Sequence, residues 1–433
     1  MDAPVSRKII LLAAAGLFAL ATASALRTCV LRWKSGDPNS AVKGRHSAAD
    51  GGPSAETGLN LSALLGDSKA GNLPSAGGFL KATGPRPFVF PADHGPHPEF
   101  RSEWWYFTGN LKDTSGREYG YQLTFFRSGL RPPSADSARS SPWAATHAYM
   151  AHFALTEVSA GRFHAYERFS RAALGLAGAE AGSGRPSEPF KPFRPFRVWL
   201  EDWSCESMPS ATADTPLFPI RLRASQGPVN LDLVLYPGKP LVPQGDRGFS
   251  RKGAESGNAS YYYSFTRLPS SGKVTTPDGV MQVTGPSWMD REWGSSILTP
   301  GLAGWEWFGL QLADSTEYLF FRLRKAGPEA ARQDSVTFDY GIRVDGRGGT
   351  RLLGPTDLGA RILSRWSGSR GRSYPSRWRI RLPSESLEMD VTPKLAGQEL
   401  DLSLPYWEGA VRVDARRQDQ PLAGQGYMEL TGY

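Results

Sequence analysis

Cysteine is almost missing from this sequence: 433 residues carry two, Cys29 and Cys205. One falls in a leader-like region, so no disulfide framework exists and the fold must hold by core burial. Catalytic signatures are missing too. Gly182-Ser183-Gly184 lacks the spacing and strand context of a nucleophile elbow, which argues against a serine hydrolase. Gly175-x-x-Gly178 has no strand–helix setting, and the glycine-rich stretch 244–258 lacks phosphate-loop spacing, so no nucleotide site is expected. The net charge of +8 is not concentrated. Arg197, Arg221, Arg223, Arg343, Arg377, Arg379 and Arg381 are scattered through alternating strands, whereas a nucleic-acid binder needs a stripe. Only a weak attraction to anionic surfaces fits this charge.

What the chain has is aromatic residues, glycine and proline: 13 Trp, 48 Gly and 34 Pro. Turn punctuation between aromatic and β-branched runs favours all-β structure. At ~100–200 residues per domain, the length suggests two or three domains. Trp104-Trp105-Tyr106-Phe107-Thr108-Gly109-Asn110-Leu111 and Trp305-Glu306-Trp307-Phe308-Gly309-Leu310-Gln311-Leu312 repeat one pattern. Each is followed by a polar turn and a strand ending in Phe-Phe-Arg, at Phe125–Arg127 and Phe320–Arg322. Two copies at long separation imply two related β domains.

Arg7 and Lys8 precede an apolar run, Ile9–Leu26, with Ala23-Ser24-Ala25 near its end. This describes a secretory signal in residues 1–26. An uncleaved anchor is the rival, because the run is at the edge of bilayer-spanning length. Leu26-Arg27-Thr28-Cys29 fits a lipoprotein site badly. The expected location is secreted or periplasmic, or inner-membrane anchored through this segment. Residues 27–85 are rich in Gly, Ser, Ala and Asp and read as a flexible tether.

Strands are expected at Tyr119–Arg127, His147–Thr156, Arg162–Phe169, Val198–Trp203, Ile220–Ala224, Val229–Tyr236, Ser260–Leu268 and Val280–Thr284. A second series runs through Trp305–Leu312, Glu317–Arg324, Phe338–Val344, Leu358–Trp366, Arg377–Leu382, Leu387–Val391, Gly409–Val413 and Gly426–Thr431. Two such sets fit closed or nearly closed barrels. An eight-stranded barrel is filled by side chains or holds one small ligand.

Asp93-His94-Gly95-Pro96-His97-Pro98, Glu103–Gly109, Gln244-Gly245-Asp246, Gly257–Ser264, Ser287–Gly294, Tyr406–Val411 and Gly426–Tyr433 resemble the AttH / carotenoid 1,2-hydratase (hydroxyneurosporene synthase) family. The resemblance covers about Phe88 to Tyr433. It implies two consecutive lipocalin-like β-barrel domains, placed at 86–275 and 276–433. Family relatives include carotenoid hydratases, fungal pericyclases and exported bacterial proteins labelled as hydrolases. Some lie beside ABC-transporter genes, which implies a permease of that kind as a partner. A shared scaffold does not fix the activity.

The richest segment chemically is Trp288-Met289-Asp290-Arg291-Glu292-Trp293. In a strand, Trp288, Asp290 and Glu292 share one face. Two carboxylates beside an indole can keep one acid neutral near pH 7, ready to protonate an alkene. Asp290 and Glu292 are therefore the catalytic candidates; the rival role is an arginine pair pinning the domain junction. Where carotenoid hydratases carry histidine beside this aspartate, the chain has Met289 and Arg291, which speaks against carotenoid hydration itself.

A hydrophobic or amphipathic ligand, lipid-like or isoprenoid-like, is expected to meet Glu103, Trp105, Tyr106, His152, Asp246, Tyr262, Trp288, Trp293, Trp305 and Trp307. Along Glu103–Phe107, Trp104 and Tyr106 share one face, and Glu103, Trp105 and Phe107 the other. One face packs a core and the other lines a greasy pocket, with Tyr106 or Glu103 as its polar group. The loop from Gln244 to Asn258 suits a lid over a barrel mouth. His94 and His97 supply two nitrogens, short of the three or four ligands a zinc site needs. His147 and His152 sit five apart on a strand, facing opposite sides. No metal and no cofactor are expected. Three functions remain open: a ligand-binding protein that carries or acts on its ligand, a hydratase or isomerase using acid catalysis, and a non-enzymatic accessory of an envelope transporter.

Overall fold

A computed structural model describes residues 78–133, 141, 143–182, 194–209, 217–295, 301–327 and 333–433. The leader, the anchor alternative and the tether as far as residue 77 lie outside these residues. Among the described residues there is no α-helix, and no helix is long and apolar enough to cross a membrane. All of the described residues belong to one unit, Gly58–Tyr433.

The strands form two antiparallel sheets, one of 13 strands and one of 11. The first has a central ladder of Glu118–Gly129, Ser102–Asp113, Gly279–Gly294 and Ala259–Thr276, in that spatial order. The second repeats it with Glu317–Lys325, Leu302–Leu312, Gln420–Leu430 and Tyr406–Arg417. Both sheets curl so that one face encloses a packed interior. Trp105, Phe107, Phe153, Trp203, Tyr263 and Trp293 fill the first. Phe308, Phe320, Trp378, Trp407 and Met428 fill the second. The architecture is all-β with two barrel-like sheets, as the strand pattern predicts.

Hydrogen-bond register corrects the alignment of the internal repeat. Glu103 faces Arg127 and Trp104 faces Phe126; Glu306 faces Arg322 and Trp307 faces Phe321. Glu103-Trp104-Trp105 therefore corresponds to Glu306-Trp307-Phe308, and the Trp104/Trp305 pairing is two residues out. A two-residue slip leaves every side chain on its own face, so the repeat identified the faces correctly.

Three boundaries differ from expectation. Residues 78–85, assigned to the tether, belong to the fold: Ala82 is fully buried in the first core, and the Leu80 amide donates to Glu99 O at 2.8 Å. The domain change expected at residue 276 falls inside a long hairpin. Gly279–Gly294 stays in the first sheet and the second begins at Leu302. Val198–Trp203 is two strands, Arg197–Leu200 and Trp203–Ser207, turned at Glu201, whose φ is 57°. The stretch Gln244–Asn258 is not an open loop. Val242–Pro243 and Phe249–Arg251 pair along Ala259–Thr276, and Phe249 packs into the first core.

The outer faces of the two sheets meet. An aromatic layer of Tyr106, Tyr262, Trp288, Trp307, Phe321 and Tyr427 lies between them. Approach is tight: a Cβ at Gly120 would stand 2.6 Å from the Ala410 Cβ. Polar ties frame the layer. Asn110 Nδ2 donates to Gly426 O at 2.9 Å, Gln311 Nε2 to Thr266 O at 2.7 Å, and Thr156 Oγ1 to Gln398 Oε1 at 2.8 Å. Lys239 Nζ pairs with buried Glu317 at 2.5 Å.

Candidate functional site

Alternation along the central strands places a cavity between the barrels rather than inside either one. Trp104 and Tyr106 come from one strand of the first sheet, and Gln122, Thr124 and Phe126 from its neighbour. Tyr262, Asp290 and Glu292 complete that wall. The second sheet contributes Trp305, Trp307, Phe321, Leu323, Tyr406, Glu408 and Glu429, and Lys252 enters from the side. The cavity volume is about 60 Å³. Trp104, Phe126, Trp305, Leu323 and Glu429 are only half-buried and form its mouth.

Register fixes these neighbours. Glu292 is opposite both Trp104 and Tyr262; Asp290 is opposite Tyr106 and Ser264. In the second sheet Glu429 is opposite Trp307 and Glu408. Four acidic side chains thus reach one aromatic cavity, each with a different environment.

Asp290 is buried and meets neutral donors. Tyr262 OH donates to Oδ2 at 2.6 Å, and Ser264 Oγ and Trp288 Nε1 donate to Oδ1 at 2.5 Å and 2.7 Å. Trp307 Nε1 donates in turn to the Tyr262 hydroxyl at 3.1 Å. Burial pushes the Asp290 carboxyl up to about 7, with a further contribution from Glu292, against the three donors. Glu292 has a cation instead: Lys252 Nζ stands 2.8 Å from Oε1, and Ser260 donates to the same oxygen. That ammonium also lies 4.5 Å from the centre of the Phe321 ring.

Glu408 and Glu429 have no counter-ion among the described residues. Burial drives both carboxyls well above the usual carboxylate range, and each side chain's neighbours add to it: Glu429 for Glu408, and Asp290 and Glu292 for Glu429. The Tyr106 and Tyr406 hydroxyls favour the charged form of Glu408. Glu408 Oε1 and the Tyr106 hydroxyl are buried yet neither completes a hydrogen bond of ordinary geometry.

The ligand-contact expectations divide. Tyr106, Tyr262, Trp305 and Trp307 line the cavity, and Trp288 packs behind it in the aromatic layer. Glu103, Trp105 and Trp293 point into the first barrel. There Glu103 is enclosed by ion pairs to Arg127 and Arg291 and accepts the His97 amide at 3.0 Å, while Arg291 lies 4.0 Å from the Trp105 ring centre. This salt-bridged cluster and the core side chains fill the barrel interior there. Asp246 sits in an exposed turn beside Arg247. His152 is one layer behind the wall, its Nδ1 2.8 Å from the Tyr406 hydroxyl. His94 and His97 are spent on structure: His94 Nδ1 meets Tyr263 OH at 2.7 Å, and His97 stacks on Trp293 at 3.9 Å. Burial and the nearby Arg291 push the His94 imidazole down to about 3, so it is neutral.

Lys252, Tyr406, Glu408 and Glu429 are not among the site residues expected from the sequence. Their signal was present: Glu408 and Glu429 lie within the resembling segments Tyr406–Val411 and Gly426–Tyr433. Their convergence depends on the pairing of the last two long strands, which no local pattern states.

Tandem barrel-like sheets, with packed interiors and an acidic aromatic cavity between them, define a two-barrel protein of the lipocalin-like class. A family model described as AttH-like matches residues 81–433, and the chain belongs to that family. Among solved structures, a putative AttH from Nitrosomonas europaea is 31% identical, covers 82% of this chain and 99% of its own, and superposes with a TM-score of 0.67. Kievitone hydratase from Nectria haematococca shares the fold at 15% identity, with 82% of this chain and 98% of its own covered and a TM-score of 0.56. A search of curated proteins gives no match.

Proposed function

We propose that this protein takes a hydrophobic or amphipathic small molecule bearing an electron-rich alkene between its barrels and hydrates it by acid catalysis. The observation that carries the reading is Asp290, buried at an aromatic cavity and hydrogen-bonded to neutral donors. A carboxyl kept neutral near pH 7 is what proton donation to carbon needs. The Asp290 O–H bond breaks and the alkene π pair forms the new C–H bond. The positive charge left on the neighbouring carbon lies among the rings of Trp104, Trp305 and Trp307, whose faces attract cations. A water oxygen closes the C–O bond and gives its extra proton to a cavity carboxylate. A hydratase of the same fold, kievitone hydratase, is consistent with this chemistry on the scaffold. Export through the apolar N-terminal run belongs to the reading and rests on the sequence.

The test is incubation of the purified protein with an acyclic polyene and a prenylated phenol in heavy-oxygen water, followed by mass spectrometry. The expected product gains one labelled water, and Asp290→Asn abolishes it. Stoichiometric retention of the probe without labelled product would make the protein a carrier. Failure to bind either probe, with co-purification of a permease, would make it a transporter accessory.

A further inference from the structure

We propose that Glu408 and Glu429 share one proton and receive the proton of the attacking water, and that Tyr406, His152 and Glu167 connect this pair to the surface. The proposal rests on the hydration reading and assigns its second proton-handling centre.

Four observations converge. Glu408 and Glu429 are direct cross-strand partners, so their carboxyls lie side by side on the cavity face. No arginine, lysine or histidine pairs with either among the described residues. Glu408 is buried and Glu429 half-buried; two adjacent carboxyls so placed without a cation resist double ionisation, and such a pair keeps one proton and one acceptor oxygen. Glu408 Oε1 and the Tyr106 hydroxyl are buried and neither completes a hydrogen bond of ordinary geometry, although the two side chains bear on each other. A water or a substrate hydroxyl entering between them would meet an acceptor and a donor.

Behind Glu408 runs a chain of titratable groups. Tyr406, which bears directly on the Glu408 carboxyl, has its hydroxyl 2.8 Å from His152 Nδ1. His152 is fully buried, and its Nε2 makes no hydrogen bond; the Glu167 carboxylate stands 3.5 Å away, a gap that a small shift of the ring must close for a proton to pass. Glu167 is partly exposed and held by Ser403, so the chain reaches solvent. Each step passes between groups that both give and accept a proton. The groups facing the pair from other elements are Tyr106, Tyr262, Asp290, Glu292 with Lys252, Trp305 and Tyr427, and Glu429 is itself half-buried at the cavity mouth.

The reaction balances. Asp290 gives a proton to one alkene carbon, water forms the C–O bond at the other, and the water's second proton passes to the pair's ionised oxygen. The relay carries that proton out through Tyr406, His152 and Glu167. Asp290 regains its own from bulk solvent, one proton entering by way of water at the cavity mouth for each proton that leaves by the relay.

The experiment is infrared difference spectroscopy of the full chain across a pH titration, with and without isotope-labelled glutamate. A protonated glutamate carbonyl band is expected near neutral pH. It should vanish in both Glu408→Gln and Glu429→Gln, and persist in Asp290→Asn. In Tyr406→Phe the band should remain while its exchange in heavy water slows by about 100-fold, the scale of a lost proton-transfer partner. His152→Gln should slow it similarly; each variant loses a buried hydrogen bond and some stability with it, so exchange is read on the folded protein below its own melting temperature. A band that survives either glutamine substitution, or exchange unchanged in both relay variants, overturns the proposal. Because these readouts need no turnover, a correct band in a protein that hydrates nothing would leave the proton-sharing pair standing and sink the hydratase reading.

Discussion

Glu292 and Glu429 are counterparts in the two halves of the molecule: each is the register partner of a tryptophan, Trp104 for Glu292 and Trp307 for Glu429. The repeat that aligns Glu103-Trp104 with Glu306-Trp307 aligns these two carboxylates as well. Their next neighbours break the symmetry. Glu292 is flanked by Tyr262 and paired with Lys252, whereas the position equivalent to Tyr262 holds Glu408. One of the two equivalent positions has a lysine beside its carboxylate, and the other has a second carboxyl. That difference gives a single cavity both an acid-rich and a charge-balanced wall.

The Lys252–Glu292 pair is almost wholly buried, so breaking it from one side leaves an uncompensated charge. Lys252→Met is expected to lower stability by about 3 kcal/mol. Adding Glu292→Gln should recover part of that loss. Urea denaturation of the two single variants and the double variant checks it; a double variant that loses the sum of both single effects would mean that the pair is not coupled.

Asp290 should make stability fall as pH rises. Its carboxyl is held up at about 7 in the folded protein against 3.8 as its ordinary value. The folded state therefore binds the proton more tightly. This contribution is fully present below the ordinary value and is lost as pH climbs towards 7. Asp290→Asn removes the titration. Its melting temperature should vary less than that of wild type between pH 4 and pH 7, and at pH 8 it should be the more stable protein. Hydration of any alkene substrate should drop by about 100-fold or more. Equal pH slopes in the two proteins would place Asp290 in a charge-compensated setting instead.

The β architecture and its duplication were legible because they are written locally. Aromatic alternation and turn residues mark strands, and the parity of Trp288, Asp290 and Glu292 follows from a period of two. The location of the cavity was not legible. Parity says that Trp104 and Trp105 face opposite ways, but not which face is the barrel interior. Glu103 and Trp105 look like a polar group beside an apolar wall, yet Arg127 and Arg291 arrive from other strands and turn that face into a closed plug. Arg127 is 24 residues from Glu103 in sequence and Arg291 is 188 away. The same limit hid Glu408 and Glu429, which become a pair only when the last two long strands align.

The first-barrel plug makes its own prediction. Glu103 is fully buried, and although burial opposes ionisation, Arg127 and Arg291 hold its carboxyl well below the ordinary range. Its stabilisation is present above the unfolded value and lost as pH falls through it towards the depressed folded one. Glu103→Gln strands two buried guanidinium groups and should cost about 4 kcal/mol at neutral pH. Acid unfolding should begin at a lower pH in wild type than in the variant. Ligand affinity of the folded fraction should not change, because Glu103 faces away from the cavity. Guanidinium unfolding and an acid titration by circular dichroism measure both.

Trp105 and Trp305 separate the two places a lipocalin-like protein can hold a ligand. Trp105 is fully buried inside the first barrel, under the Arg291 guanidinium. Trp305 is half-buried at the mouth of the inter-barrel cavity. Trp105→Ala removes a large core side chain and should cost about 3–5 kcal/mol, with the affinity of the surviving folded protein unaltered. Trp305→Ala should leave the melting temperature within a few degrees of wild type, since its ring is not enclosed. It should still weaken binding of a hydrophobic probe by about tenfold, the value of roughly 1.4 kcal/mol of lost aromatic contact. Fluorescence titration with parinaric acid reads both variants. Weakened binding in Trp105→Ala with none in Trp305→Ala would put the ligand inside the first barrel, and the space between the barrels would then be an interface alone.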